Sequence, residues 1–241
     1  GAFPRRAVEG LWDRLRVHGS GGRVPVTASR IADSAWPTIC RDARWRGRPA
    51  RPNFRLVMPA HSRVPDIGDA LPRSGGSISR ALGRGVLGLL GWRIEGTLPN
   101  VAKAVVIVAP HTSNWDFVIG IAAKFALGLR AAWLGKNTLF RGPLGPVMRW
   151  LGGIPVDRSK PHDVVAQTVA RFAGSERLVL GISPEGTRKA VARWRMGFYH
   201  IACGAAVPIV PVAFDWSRHA LVIGPPLVPS DDPDADLAAL A

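Results

Sequence analysis

The sequence predicts an α/β domain with a mostly parallel or mixed central sheet flanked by helices. Three observations carry this. Short apolar runs of strand length alternate with helix-like segments from residue 77 onward. Polar clusters follow several of those runs, where an open sheet of parallel strands presents its carboxyl edge. A stretch of helical apolar spacing precedes the first clear strand.

The elements follow in order. Residues 77–94, SISRALGRGVLGLLGWRI, place Ile78, Leu82, Val86, Leu89 and Leu90 at helical spacing with Arg80 and Arg84 among them. This is the N-terminal amphipathic helix, closed by Trp92 and Arg93 and suited either to lie in a membrane interface with its arginines toward phosphates or to pack on the domain. Its four glycines argue against helix on propensity alone. AVVIVA (104–109) is a buried strand, and an apolar helix spans 115–128. AAWL (131–134) is a short strand, 143–152 a helix opened by proline, and IPV (154–156) a strand. Residues 161–174 form an amphipathic helix with Pro161 at its start and Gly174 at its end. Strands at 177–182, 207–214 and 220–224 and a helix at 197–205 complete the pattern.

Composition narrows the function. Hydrophobic residues make up 47 % of 241, enough for a sizeable core. Cys40 and Cys203 are the two cysteines, which excludes a disulfide framework, and no Cys/His spacing points to zinc. The net charge of +15 favours anionic partners: nucleic acid, anionic lipid or phosphorylated substrates. Residues 1–57 hold 12 Arg, no Lys and 4 acids, more than half of that excess. They carry few aromatics for stacking on bases, so nucleic acid is not the expected partner, although a basic nucleic-acid or membrane-binding module is the rival class. No run of about 18 uncharged apolar residues is present, and the N-terminus has no apolar signal core.

Residues 1–76 show no sustained period, with Gly, Pro and Arg throughout. Two expectations compete for them: a disordered basic segment, or sequence that is not native coding, with the natural start at or near Met58. Residues 77–241 form the domain, and the segment opening at 231–241 leads to the expectation that the C-terminus is truncated.

Several motifs are set aside. GRGVLG (83–88) fits a dinucleotide fingerprint, but no strand precedes it. LGKN (134–137) lacks the first glycine and the Ser/Thr of a phosphate loop. GISPE (181–185) approaches a serine-hydrolase elbow, but Pro184 follows Ser183, and proline has no N–H for an oxyanion hole.

Three clusters remain. HTSNWD (111–116) follows a strand and opens a helix. On one continuous helix, side chains five residues apart point about 140° apart. His111 and Asp116 therefore meet only with the histidine in the turn and the aspartate in the first helical turn. A carboxylate on one imidazole nitrogen leaves the other free as a base. GGIPVDRS (152–159) ends a short strand in Asp157 and Arg158, and SPEGTRK (183–189) is a turn converging Glu185, Thr187, Arg188 and Lys189. The planar fork of an arginine such as Arg188 suits phosphate. If the strands are parallel, all three clusters share one edge.

These blocks, in this order, resemble the glycerolipid acyltransferase family, which acylates glycerol phosphate and lysophospholipids, over about residues 77–241. The histidine and aspartate separated by four residues are His111 and Asp116, the Asp-Arg block ends at Arg158, Pro-Glu-Gly-Thr-Arg is 184–188, and the apolar proline block is VPIVP (207–211). The resemblance implies that His111 is the general base, oriented by Asp116, and that Arg158, Glu185, Gly186, Thr187 and Arg188 bind the acceptor. It implies transfer of a fatty acyl chain from acyl-CoA or acyl-carrier protein to a lysophospholipid. The leading acceptor is 1-acylglycerol-3-phosphate; a lyso-aminolipid is the alternative. It further implies no cofactor and no metal, an anionic membrane surface as partner, and a peripheral place on the cytoplasmic face of a bacterial membrane. Two positions depart from the family: Pro110 stands where Asn is usual before the histidine, and Ser183 where Phe often opens the third block. Trp194, Arg195, Gly197 and Phe198 are candidates for the acyl or phosphate entrance, with a packing role as the alternative. His162 and His200 read as structural or exposed.

Overall fold

The computed structural model describes residues 64–110, 113–157, 161–186, 194–230 and 232–240. Among these residues seven strands form one sheet: β1 (Arg93–Glu95), β2 (Lys103–Val108), β3 (Ala131–Lys136), β4 (Gly153–Val156), β5 (Leu178–Ile182), β6 (Ile209–Asp215) and β7 (Ala220–Ile223). Their spatial order is β1-β7-β6-β2-β5-β3-β4. Every neighbouring pair is parallel except β6–β7, a hairpin, so the sheet is mixed. Strands β6, β2, β5, β3 and β4 run the same way and share one carboxyl edge.

Helices cover both faces: α1 (Ser77–Leu89), α2 (Asn114–Leu127), α3 (Gly145–Trp150), α4 (Pro161–Ala173), α5 (Gly197–Ala205) and α6 (Pro233–Leu240). Strand alternation divides the core accordingly. Ala104 of β2 with Val210, Val212 and Phe214 of β6 pack with α1 and α2. Val105, Ile107, Leu180 and Ile209 pack with α4, α5 and α6. Cys203 is one of the buried apolar contacts on this second face.

The structure departs from the sequence reading in several places. The first helix stops at Leu89, the chain turns at Gly91, and Trp92 swings into the core at 2 % exposure. Arg93 then begins β1, an edge strand too short for any period to reveal. Residues 64–76 are packed and not part of a disordered segment. Ile67 and Leu71 are buried against Leu129 and Val179, and Arg130 N donates to Pro72 O at 2.8 Å. Isolated apolar residues in a Pro/Gly-rich loop carry no periodic signal, and their burial depends on the groove they meet. A 3₁₀ turn over Asn137–Phe140 and helix α6 were also unread. Helix α6 is tied down by Asp236, whose Oδ2 accepts from Tyr199 OH at 2.7 Å and from Ser230 N at 2.6 Å. Burial, with the Asp236 bond next, pushes the Tyr199 hydroxyl far above its usual range.

The glycines of α1 have a packing reason. A Cβ on Gly83 would lie 2.4 Å from Ala126 N and 2.6 Å from Ala122 O, both backbone atoms of α2. A Cβ on Gly85 would meet nothing within 4 Å. Alanine is favoured over glycine inside a helix by about 1 kcal/mol, so Gly85→Ala is expected to raise stability by up to that amount. Gly83→Ala is expected to lower it by about 1–3 kcal/mol through overpacking. Urea denaturation of the two variants checks this. Gly83→Ala at or above wild-type stability would show that the α1–α2 crossing is loose.

Candidate functional site

The carboxyl edge brings the predicted clusters to one side of the sheet. Strand β2 leads to Ser113 and α2, β5 to Ser183–Gly186, and β4 to Asp157. Strands β2 and β5 are neighbours in register, Ile107 beside Ile182. The β4 cluster lies three strand spacings from β2, about 14 Å across the sheet. Asp157 is exposed at its end. His111, Arg158, Thr187 and Arg188 lie outside the described residues.

Asp116 sits in the first turn of α2, where the sequence places it. Ser113 is the N-cap: its Oγ accepts from Trp115 N at 3.1 Å, and Asp116 Oδ2 accepts from Ser113 N at 2.7 Å. This capping box satisfies two helix-terminal N–H groups and explains why the chain turns into a helix here. It does not explain the other carboxylate oxygen. Oδ1 accepts from Trp216 Nε1 at 3.0 Å, and the side chain is buried at 1 % exposure.

The second cluster is a turn, as its Pro and Gly imply. Gly186 N donates to Ser183 O at 3.2 Å, and Gly186 has a φ of 62°, in the left-handed region that favours glycine. The turn buries Glu185 at 8 % exposure. Arg195 lies over it, its N donating to Pro184 O at 2.8 Å. Ser183 Oγ is buried and meets no hydrogen-bond partner among the described residues. Of the entrance candidates, Phe198 is a core residue and Trp194 packs edge-on against it at 6.0 Å, so packing describes both.

Beneath this edge lies a cleft of about 230 Å³ between α2 and the sheet. Asp116 and Ser183 line one end; Leu129 and Val179 line the other. From Val179 to Ser183 along β5 is four residues, about 13 Å. The walls between are apolar, with Val106, Val108, Gly120 and Phe214 among them. Lys124 is the one amine among the described residues of the lining, and burial lowers its pKa. Its Nζ is engaged by Leu151 O at 2.7 Å. A long apolar group fits this lining, and a buried carboxylate stands at its polar end.

Sequence reading missed the cleft and Trp216. The cleft arises from residues scattered over six elements and the loops between them. Trp216 had a readable signal: DWSRH (215–219) follows β6 as a fourth polar cluster at the same edge.

Fold and site together define an α/β domain with an apolar cleft ending beside a polar strand edge. The chain belongs to the acyltransferase family, whose sequence profile matches residues 93–215. It is similar to the 1-acyl-sn-glycerol-3-phosphate acyltransferase of Haemophilus influenzae, 29 % identical over 151 residues, covering 58 % of this chain and 61 % of that protein. The enzyme of the same name from Escherichia coli is 30 % identical over 134 residues, covering 52 % of this chain and 53 % of that protein. The chain thus spans 53 % to 61 % of the length of these relatives. The crystal structure of the 1-acyl-sn-glycerophosphate acyltransferase from Thermotoga maritima aligns at a TM-score of 0.49 and 19 % identity, over 67 % of this chain and 73 % of that one. That value is too low to add to the fold argument above.

Proposed function

We propose that the protein transfers a fatty acyl chain from a thioester, acyl-CoA or acyl-carrier protein, to the free hydroxyl of a lysophospholipid, with 1-acylglycerol-3-phosphate as acceptor and phosphatidic acid as product. The observation that carries this reading is the cleft: an apolar channel whose polar end is lined by Asp116. Each methylene withdrawn from water into such a lining contributes about 0.8 kcal/mol, which suits a long acyl chain better than a polar substrate. His111 takes the proton of the acceptor hydroxyl while the oxygen attacks the thioester carbonyl. The C–S bond then breaks, and the departing thiolate receives the proton. Asp116 orients the imidazole and stabilises its charged form. Pro184 beside Ser183 leaves no N–H for a serine elbow, in keeping with direct transfer and no acyl-enzyme. Arg158 and Arg188 supply planar, charge-assisted donors for the phosphate monoester, and Glu185, Gly186 and Thr187 hold its glycerol. The residues supply both base and charge, so the mechanism calls on no metal or cofactor.

The acceptor is a lipid, and α1 offers a surface for its membrane. Ile78 and Leu89 are 84 % and 89 % exposed. With Leu82 they fall within about 40° on the helix wheel, opposite the buried Leu87. No helix among the described residues is long and apolar enough to cross a membrane. The protein attaches peripherally through this face and its basic charge to the cytoplasmic side of a bacterial membrane, a reading that the exposed apolar residues of α1 support.

Thiol release from acyl-CoA on liposomes, with and without lysophosphatidic acid, tests the reading. Release that depends on the acceptor is expected. Release with a lyso-aminolipid alone would move the acceptor. Absence of release with every lysolipid, from acyl-CoA and from acyl-carrier protein alike, would overturn the proposal.

A further inference from the structure

The hairpin between β6 and β7 folds back over the strand edge and places an indole on the buried aspartate. Trp216 Nε1 donates to Asp116 Oδ1 at 3.0 Å across 100 residues of sequence. A capping box needs one carboxylate oxygen, and Ser113 N already holds the other. The indole can only donate and a carboxylate oxygen accepts, so the pair is matched.

The indole is itself firmly held. Its ring meets Trp92 edge-on, centroids 5.0 Å apart at 84°. The turn beneath it is built by Asp215, whose Oδ1 accepts from Ser217 N at 3.0 Å, Ser217 Oγ at 2.7 Å and Arg218 N at 3.0 Å. Arg218 Nη2 donates to both oxygens of Glu95, at 2.7 and 2.6 Å, and Arg93 Nε donates to Glu95 Oε1 at 2.7 Å. This lattice ties the hairpin to β1 and fixes where the indole N–H points. A fixed donor on each oxygen sets the plane of the carboxylate.

We propose that Trp216 is a positioning residue for the reaction: it locks the Asp116 carboxylate in the plane that orients the His111 base. This rests on the acyl-transfer reading above. A tryptophan that only packed on Trp92 would serve equally well as phenylalanine; one that aims a carboxylate would not.

Trp216→Phe keeps the ring and removes the N–H. Its kcat for acyl transfer is expected to fall about tenfold, within the range a misplaced base produces, with KM for both substrates within about twofold of wild type. In an Asp116→Ala background, which has no acceptor for the indole, the same substitution is expected to cost nothing further, because its effect passes through the carboxylate. An unchanged kcat, or the same loss in both backgrounds, overturns the proposal. The bond is also read without turnover, or if the phenylalanine variant does not fold. The Trp216 indole ¹H–¹⁵N signal, assigned in the wild-type chain, is expected to move on Asp116→Asn. A signal indifferent to that change overturns the inference independently. A moved signal in a chain with no acyl transfer leaves the Trp216–Asp116 bond standing and removes the reaction assigned to it.

Discussion

Replacing His111 with alanine is expected to lower acceptor-dependent thiol release about 10³-fold, the middle of the range for a general base, with the unfolding temperature nearly unchanged. An alcohol hydroxyl is a weak nucleophile until its proton is taken, and an imidazole with a pKa near 6.5 is the side chain suited to take it at neutral pH. The loss should fall on kcat, because the base acts on the transition state and not on ground-state binding. Steady-state assays of the purified variant, with thermal unfolding alongside, check this. A His111→Ala protein with wild-type turnover would end the mechanism, and a collapsed fold would show that the histidine is structural.

Gly120→Leu is expected to separate activity from stability. Gly120 lines the cleft, and a Cβ there would meet only Phe214 Cζ, at an ordinary 3.7 Å. The backbone therefore accepts a side chain, and a leucine fills space beyond it. If that space holds the acyl chain, displacing three or four methylenes removes about 3 kcal/mol of burial, or roughly a hundredfold in kcat/KM for a long-chain donor. Short-chain donors, which do not reach the blocked part, should lose far less. Stability should rise, since leucine is a better helix former than glycine by nearly 1 kcal/mol. A comparison of palmitoyl and butanoyl donors with the wild-type and Gly120→Leu chains decides it. Equal long-chain kcat/KM in both would place the acyl group elsewhere.

Much of this was legible in the sequence because it depends on local rules. The alternation of strand and helix follows from apolar runs and their period. The turn at 183–186 follows from Pro184 and Gly186, and the placing of Asp116 in the first turn of α2 from the spacing of HTSNWD. The shared strand edge follows from parallel strands, each of which ends in a polar cluster. The order of the blocks pointed to the family without any coordinates. What the sequence could not contain was distance between elements. The β4 cluster stands three strands from β2 because β5 and β3 intervene, an order set by which crossovers pack and not by any residue. Gly83 weakens a helix on propensity, and only the nearness of α2 shows why a glycine belongs there. Residues 64–76 look unstructured until the groove beside Leu129 is present. The cleft and the Trp216–Asp116 bond are likewise tertiary. A void between a helix and a sheet, and a hydrogen bond across 100 residues, arise only when distant segments close on one another. Periodicity reports one segment at a time. The sequence by itself thus determined most of the elements, the place of Asp116 in the first turn of α2 and the family; the packing decided which segments meet and what lies between them.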